Sequence, residues 1–328
     1  MLIRVSSGTE AQLGLKPSQL DVKPTTAYLL TYHNGRCRAN CAFCTQARES
    51  KSSIDLLSRV VWPPHPLDEV ADRLKMVEKS GELRRVCIQT INYDGMFKDL
   101  LAIIEHIKAN VSLPISVSCH PLNEANIRIL AEMGVDRLAI PLDAASEEVF
   151  DRVKGRGVAG FYTRRDCLKA LKIALKYFGP RRVLSYIMVG LGEKESEAVK
   201  AIQELVDLGV SCSLFAFTPV RGIILENNPP PSLESYRRIQ LAHYLIEEGI
   251  SRFEWMNFSE DGVIENFGVD KSELVKIVLS GKPFMTRGCP DCNRPYFNEK
   301  PGSSIYYNYP RPLRPEETRE VLKLLKLL

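Results

Sequence analysis

One short stretch of the chain, GRCRANCAFCTQ, carries Cys37, Cys41 and Cys44 in a CxxxCxxC spacing. Thiolates are soft ligands, and this spacing lets a single loop wrap three corners of a cubane [4Fe–4S] cluster. No fourth cysteine follows nearby, so one iron of such a cluster keeps an open position for a small molecule with donor atoms. Zinc is the competing reading, but zinc sites take four Cys or His ligands and no histidine lies just beyond Cys44. A second pair, Cys289 and Cys292 in RGCPDCNRPYFNE, forms a CxxC turn able to hold two corners of one metal site. It is otherwise half of a zinc ribbon, although the sequence offers no second CxxC or paired histidines. Cys87, Cys119, Cys167 and Cys212 are scattered singly, and in isolation each reads as a small buried hydrophobe.

The elements that must position these thiols follow a repeated strand and helix order. Short runs rich in β-branched and aromatic residues predict strands over 27–33, 84–90, 115–119, 137–142, 183–190 and 213–218. Helical patterns fall between them over 67–81, 95–110, 123–134, 146–153, 163–177 and 195–209, several ending in glycine. Six alternations imply parallel strands joined by right-handed crossovers, either closed or curled into an open barrel. The expected fold class is α/β, a partial (β/α)6 TIM-like barrel over residues 26–250. An N-terminal extension (1–25) precedes it, and an irregular C-terminal extension (251–328) carries the CxxC. Further helices are predicted over 232–249 and 317–328, the last an amphipathic one packed on the barrel. Ligands of parallel α/β sheets gather at the C-terminal ends of the strands, and the cysteine triplet follows the first strand directly.

The 328 residues are 45% apolar, enough for one large α/β domain with appendages. Charge is nearly balanced, 44 basic against 40 acidic residues with no block of one sign, which argues against a nucleic-acid partner. No apolar run is long enough to span a bilayer and the start lacks a signal-peptide pattern, so no membrane and a cytoplasmic location are expected. Nine cysteines in a reducing compartment point to metal or catalysis rather than disulfides.

A CxxxCxxC loop directly after a first barrel strand resembles the signature of the radical S-adenosylmethionine (SAM) superfamily. That resemblance implies an open iron that chelates the amino and carboxylate groups of SAM. Electron transfer to the sulfonium would then release a 5′-deoxyadenosyl radical able to take hydrogen from an unactivated C–H bond. It also implies a SAM pocket. Phe43 holds the aromatic position flanking the adenine, and Asp143 in IPLDAAS places a carboxylate on the ribose hydroxyls. The backbone of Gly190, Leu191 and Gly192 in VGLGE meets the adenine, and Val220 after the sixth strand packs on it.

Residues 26–250 are similar to biotin synthase in particular, through VCIQT, SVSCHPLNEANIRILAEMGVD, VGLGE and TPVRGI. Biotin synthase has a second cluster inside its barrel, with ligands on the strands of Cys87 and Cys119. Its third cluster cysteine is replaced here by Leu184, its ligating arginine is not found, and Cys289 and Cys292 are additional. With the tail GCPDCNRPYFNE leading into GSSIYYNYPRP, the pattern resembles the biotin-synthase-related archaeal proteins that act in pairs as lipoyl synthase. The resemblance implies an auxiliary [4Fe–4S] cluster on Cys87, Cys119, Cys289 and Cys292, consumed as the sulfur donor to an octanoyl chain on a protein lysine. It favours C6 of an 8-mercaptooctanoyl chain. Implied partners are an octanoylated or 8-mercaptooctanoylated lipoyl-domain or glycine cleavage H-type protein, a second radical SAM protein acting on the other carbon, and an electron donor such as ferredoxin. Ser303 and Ser304 match the serine pair of ordinary lipoyl synthase, where a serine ligates the donor cluster. Cys167 and Cys212 read as packing residues. Biotin-synthase-type insertion, a radical SAM enzyme whose auxiliary cluster relays electrons, and a zinc-stabilised binding barrel stay open as alternatives.

Overall fold

The structure, a computed structural model, describes residues 1–296 and 306–328. Its main sheet contains β1 (Leu2–Val5), β2 (Thr26–Thr31), β3 (Pro64–Pro66), β4 (Arg85–Gln89), β5 (Ile115–Ser118), β6 (Arg137–Ala139), β7 (Val183–Val189) and β8 (Ser211–Ala216). From one edge the order is β8-β7-β6-β5-β4-β2-β1-β3. The six strands β2, β4, β5, β6, β7 and β8 are parallel, as the alternating pattern predicts. β2, TAYLLT, is buried at every residue because its two faces meet the helix layer and the interior. The first strand of the chain departs from expectation. β1 pairs antiparallel with β2 and carries β3 on its other side, so residues 1–25 add an edge to the barrel sheet. Prolines at both ends of β3 suit an edge, where a missing N–H leaves no ladder partner unsatisfied.

The crossover helices bury apolar stripes at helical spacing. α1 (Ser7–Gln12) is a short turn after β1, and α2 (Leu67–Glu78), α3 (Met96–Asn110) and α4 (Glu124–Glu132) link the strands up to β6. α5 (Glu147–Val153) and α6 (Arg164–Phe178) span β6 to β7, and α7 (Glu195–Asp207) leads to β8. α6 starts at a capping box between Thr163 and Asp166 and turns Cys167, Ala170, Leu171, Ala174 and Phe178 inward, which makes Cys167 a core residue. β2 and β8 stand apart in the strand order, yet Tyr28 of one and Phe215 of the other line a single interior cavity. The sheet is therefore curled into an open partial barrel.

The C-terminal region contributes α8 (Leu233–Glu247), α9 (Lys271–Leu279) and α10 (Pro315–Leu324). α10 packs against α8 and α9 and buries Val321 and Leu322. Between α9 and α10 the chain docks under the N-terminal ends of the strands. The Thr25 N–H donates to Asn293 Oδ1 at 3.0 Å, Asn293 Nδ2 donates to the Lys23 carbonyl at 2.9 Å, and Arg84 pairs with Asp291 at 2.7 Å. Thr25 and Arg84 immediately precede β2 and β4, so the CxxC segment closes the barrel at the end opposite the cysteine triplet. Among the described residues no helix is long and apolar enough to cross a membrane.

Candidate active site

The triplet loop leaves the C-terminal end of β2 and is held by its own polar side chains. Asn40 Nδ2 donates to the Val158 carbonyl at 2.9 Å and its Oδ1 accepts from the Glu49 N–H at 3.1 Å. Gln46 Nε2 donates to the carbonyls of Ile54 and Leu56 at 2.7 and 2.6 Å, and the Cys37 N–H closes the loop on the Gln46 carbonyl at 3.0 Å. Cys37, Cys41 and Cys44 all line a cavity that opens to solvent at the strand C-terminal ends.

Burial pushes all three thiols up, Cys44 to about 12, and opposing effects are built into the loop. Cys37 Sγ accepts the Asn92 N–H at 3.1 Å, the Gln46 and Ala47 N–H groups act on Cys44, and the Lys154 cation draws Cys37 and Cys41 down. A metal that displaces the thiol protons gains from these same donors. Among the described residues no three His, Cys, Asp or Glu side chains converge on one ion position. The thiolates of a cubane cluster each take a different iron, so this three-sulfur set fits a [4Fe–4S] cluster with one iron open.

Phe43 and Asp143 line the same cavity, but Asp143 is not a lone carboxylate. It adopts a left-handed φ of 64°, and its Oδ2 accepts from Lys154 Nζ at 2.7 Å. Nζ also donates to the Pro141 carbonyl at 2.6 Å, and both partners are buried. Burial alone would pull the Lys154 ammonium down, and Asp143 with the nearby Cys167 and Cys41 outweighs it, so that the group is held above its usual range. His120 lines the cavity too, stacked on Tyr162 with ring centroids 5.3 Å apart. Burial, aided by Lys154, lowers its pKa to about 3, so the ring is neutral, and its buried Nδ1 has no partner among the described residues. Sequence reasoning missed both residues. The available signal for His120 was its place right at the C-terminal end of β5. Lys154, just past α5, resembles an ordinary solvated helix-end cation.

Gly190, Leu191, Gly192 and Val220, expected at the adenine, do not line this cavity. The N–H groups of Gly190 and Leu191 donate to the Glu193 carboxylate at 2.6 and 2.9 Å. Pro231 packs 2.7 Å from where a Cβ on Gly190 would lie, Arg152 fills the same space beside Gly192, and Phe217 and Thr218 stand at the cavity in place of Val220.

A second thiol group lies toward the other end of the barrel. Cys87, Cys289 and Cys292 line an interior cavity together with Tyr28, Leu184 and Arg294. Ser116, the register partner of Cys87, has its Oγ 3.3 Å from Cys289 Sγ, and Tyr28 Oη is 3.2 Å from Cys292 Sγ. The Arg294 guanidinium sits 4.1 Å from the Phe215 ring centre. Burial and the two neighbouring thiols push Cys87 up while Arg294 draws it down. The expected fourth member, Cys119, is not brought here. Ser116 and Ser118 take the interior face of β5, and the next side chain turns to the opposite face. Cys119 is 2% exposed in the apolar core, its thiol raised to about 12 by burial alone. The group is thus one of three cysteines. Gln89, Tyr186 and Phe215 line both cavities and form their common wall. Ser303 and Ser304 lie outside the described residues.

Residues 31–205, more than half of the chain, match the model of the Radical SAM superfamily. The chain is 25% identical over 207 residues to a biotin synthase of Methanococcus aeolicus, covering 61% of this chain and 59% of that protein. It is 28% identical over 224 residues to a biotin synthase of Desulforudis audaxviator, covering 67% and 64%. The chain therefore spans less than two thirds of the length of these curated relatives. Among solved structures, the FeFe-hydrogenase maturase HydG from Carboxydothermus hydrogenoformans superposes with a TM-score of 0.54 at 18% identity over 74% of this chain and 56% of that one, a likeness of fold. The chain belongs to the radical SAM superfamily, and a [4Fe–4S] cluster with SAM comes with that membership.

Proposed function

We propose that this chain inserts sulfur into an unactivated C–H bond of a protein-bound octanoyl chain, the lipoyl-forming reaction, at C6 of an 8-mercaptooctanoyl lysine. One observation carries the reading: two thiol groups face each other across the wall of Gln89, Tyr186 and Phe215 inside one barrel. A methylene has no acidic proton to remove, so its C–H bond is broken by a radical. When bound, a cluster on Cys37, Cys41 and Cys44 with SAM supplies that radical, and one on Cys87, Cys289 and Cys292 supplies the sulfide.

The chain's own residues hold the carbon between the two. Leu30, Ile91, Met188 and Phe217 give the upper cavity an apolar lining that takes an alkyl chain and excludes water from a reactive radical. The Lys154–Asp143 pair fixes a buried charge beside Cys41, and neutral His120 adds no acid near the reacting carbon. Biotin synthases among the relatives support sulfur insertion, while Leu184 in the lower cavity and the added Cys289 and Cys292 favour the lipoyl over the biotin substrate. Partners on this reading are an acylated lipoyl-domain or H-type carrier, a second radical SAM protein for the other carbon, and a ferredoxin-type reductant.

Product mass spectrometry with SAM, a reductant and either octanoylated or 8-mercaptooctanoylated peptide tests the proposal. The 8-mercaptooctanoyl peptide is expected to gain one sulfur, in an amount not exceeding the protein. Sulfur insertion into dethiobiotin instead would assign the biotin reaction. Formation of 5′-deoxyadenosine with no sulfur product on any of these would assign the lower site to electron relay.

A further inference from the structure

The lower thiol group has a second approach. Gly288 and Cys289 line the interior cavity beside Cys87, and the same two residues line a separate cleft on the outside of the barrel's N-terminal end. That cleft is open to solvent and is bounded by Arg181, Ser211, Glu247, Glu248 and Arg287. Its lining is polar and charged, whereas the upper cavity is largely apolar. The partition between cleft and interior is thin at Gly288, which has no side chain to thicken it. A Cβ there would meet Ser213 Oγ at 2.7 Å. Arg287 latches the CxxC segment to α8, with Nε donating to Glu247 Oε2 and Nη2 to Glu248 Oε1, both at 2.7 Å.

A species arriving from the upper cavity would have to cross the wall of Gln89, Tyr186 and Phe215, where the substrate carbon is proposed to lie. A species arriving through the outer cleft meets Cys289 first and has only the partition at Gly288 to pass. We propose that this cleft is the entry by which iron and sulfide reach Cys87, Cys289 and Cys292, so that the lower site is loaded and reloaded from the barrel end opposite SAM. The proposal rests on the reading of these cysteines as cluster ligands. Ferrous and ferric iron in equal parts with sulfide assemble a [4Fe–4S]2+ core with no further oxidant or reductant, and each thiol that binds gives its proton to water.

The test uses the full chain with Cys37→Ala, Cys41→Ala and Cys44→Ala, so that cluster uptake reports the lower site. Apoprotein is exposed anaerobically to equal ferrous and ferric iron with sulfide, and bound iron and acid-labile sulfide are followed in time. Ser211→Trp, which fills the cleft from the first residue of β8, is expected to slow uptake several-fold and leave the end point unchanged. Arg287→Met, which frees the latch, is expected to speed the loss of iron to an added chelator several-fold. Unchanged uptake in Ser211→Trp overturns the proposal. An unchanged chelation rate in Arg287→Met overturns it as well, even if the tryptophan variant does not fold. Should the parent protein bind no iron, the ligand reading falls together with the entry route; iron uptake at equal rates in every protein removes the route alone.

Discussion

The two ends of the barrel gather their thiols by different means. At the C-terminal end Cys37, Cys41 and Cys44 share one loop, and that loop is folded by its own Asn40 and Gln46. At the N-terminal end Cys87 sits on a strand, while Cys289 and Cys292 return from about 200 residues later, and the docking contacts of Thr25, Arg84 and Arg287 bring them there. Loop length is a weak obstacle, since each doubling costs about 0.6 kcal/mol. Geometry sets the difference: the upper group is a property of a peptide segment, and the lower group is a property of strand parity and tail docking. Replacing all three triplet cysteines by alanine is therefore expected to abolish 5′-deoxyadenosine formation while leaving a lower cluster of about four irons. Persistent 5′-deoxyadenosine in that variant would end the distinction between the two sites.

The lower group makes the next largest contrast. Cys87→Ala, or Cys289→Ala with Cys292→Ala, is expected to remove the iron of the second cluster and stop sulfur insertion while SAM cleavage continues. Cys119→Ala is expected to keep full iron content and to cost about 1 kcal/mol of packing. Iron and sulfide analysis of the reconstituted variants separates a three-cysteine group from a four-cysteine one, because loss of iron in Cys119→Ala would restore the fourth ligand.

The same contrast explains what the sequence made legible. The six parallel strands appear close to where alternation and residue type place them, and the triplet is a local pattern that needs no fold to be recognised. Strand parity is not local. A cysteine one residue beyond Ser118 reads as another interior ligand until the register of Cys87 with Ser116 fixes which face is inside. Strand β1 was hidden for a related reason, since four residues before a helix carry no signal of the partners that bury them. Lys154 was hidden because a lysine past a helix end is ordinarily solvated, and its burial depends on the left-handed turn at Asp143, which brings the carboxylate to it.

That pair gives a prediction about stability. Lys154→Met leaves Asp143 buried without its cation and is expected to lower the unfolding free energy of the apoprotein by about 3–5 kcal/mol, read as a shift of the urea midpoint. Combining it with Asp143→Asn is expected to recover much of the loss, because no uncompensated charge remains. If Asp143→Ala weakens SAM binding with no change of midpoint, the carboxylate is a ligand group first and its pairing with Lys154 is incidental.

The last contrast concerns the latch that holds the CxxC segment, and it follows from the charge of Glu247. Burial disfavours the ionised carboxylate, but His243 and Arg287 outweigh it and hold the pKa at about 2, below the ordinary 4.5. A depressed carboxylate stabilises the folded state fully above its unfolded pKa and loses that contribution as the pH falls toward the folded one. The window is therefore from about 4.5 down to about 2, and the contribution at stake is on the order of 3 kcal/mol. Hydrogen exchange of the tail around residues 283–296, corrected for the intrinsic rate at each pH, is expected to rise as the pH falls below about 4.5. Arg287→Met removes the Arg287 cation and raises the folded-state pKa toward 4.5, so the rise should still begin near 4.5 but be smaller, while exchange in the triplet loop, which Glu247 does not touch, stays as in the parent. Equal acid sensitivity at both barrel ends would mean that the chain opens as a whole, and the lower site would then have no latch of its own.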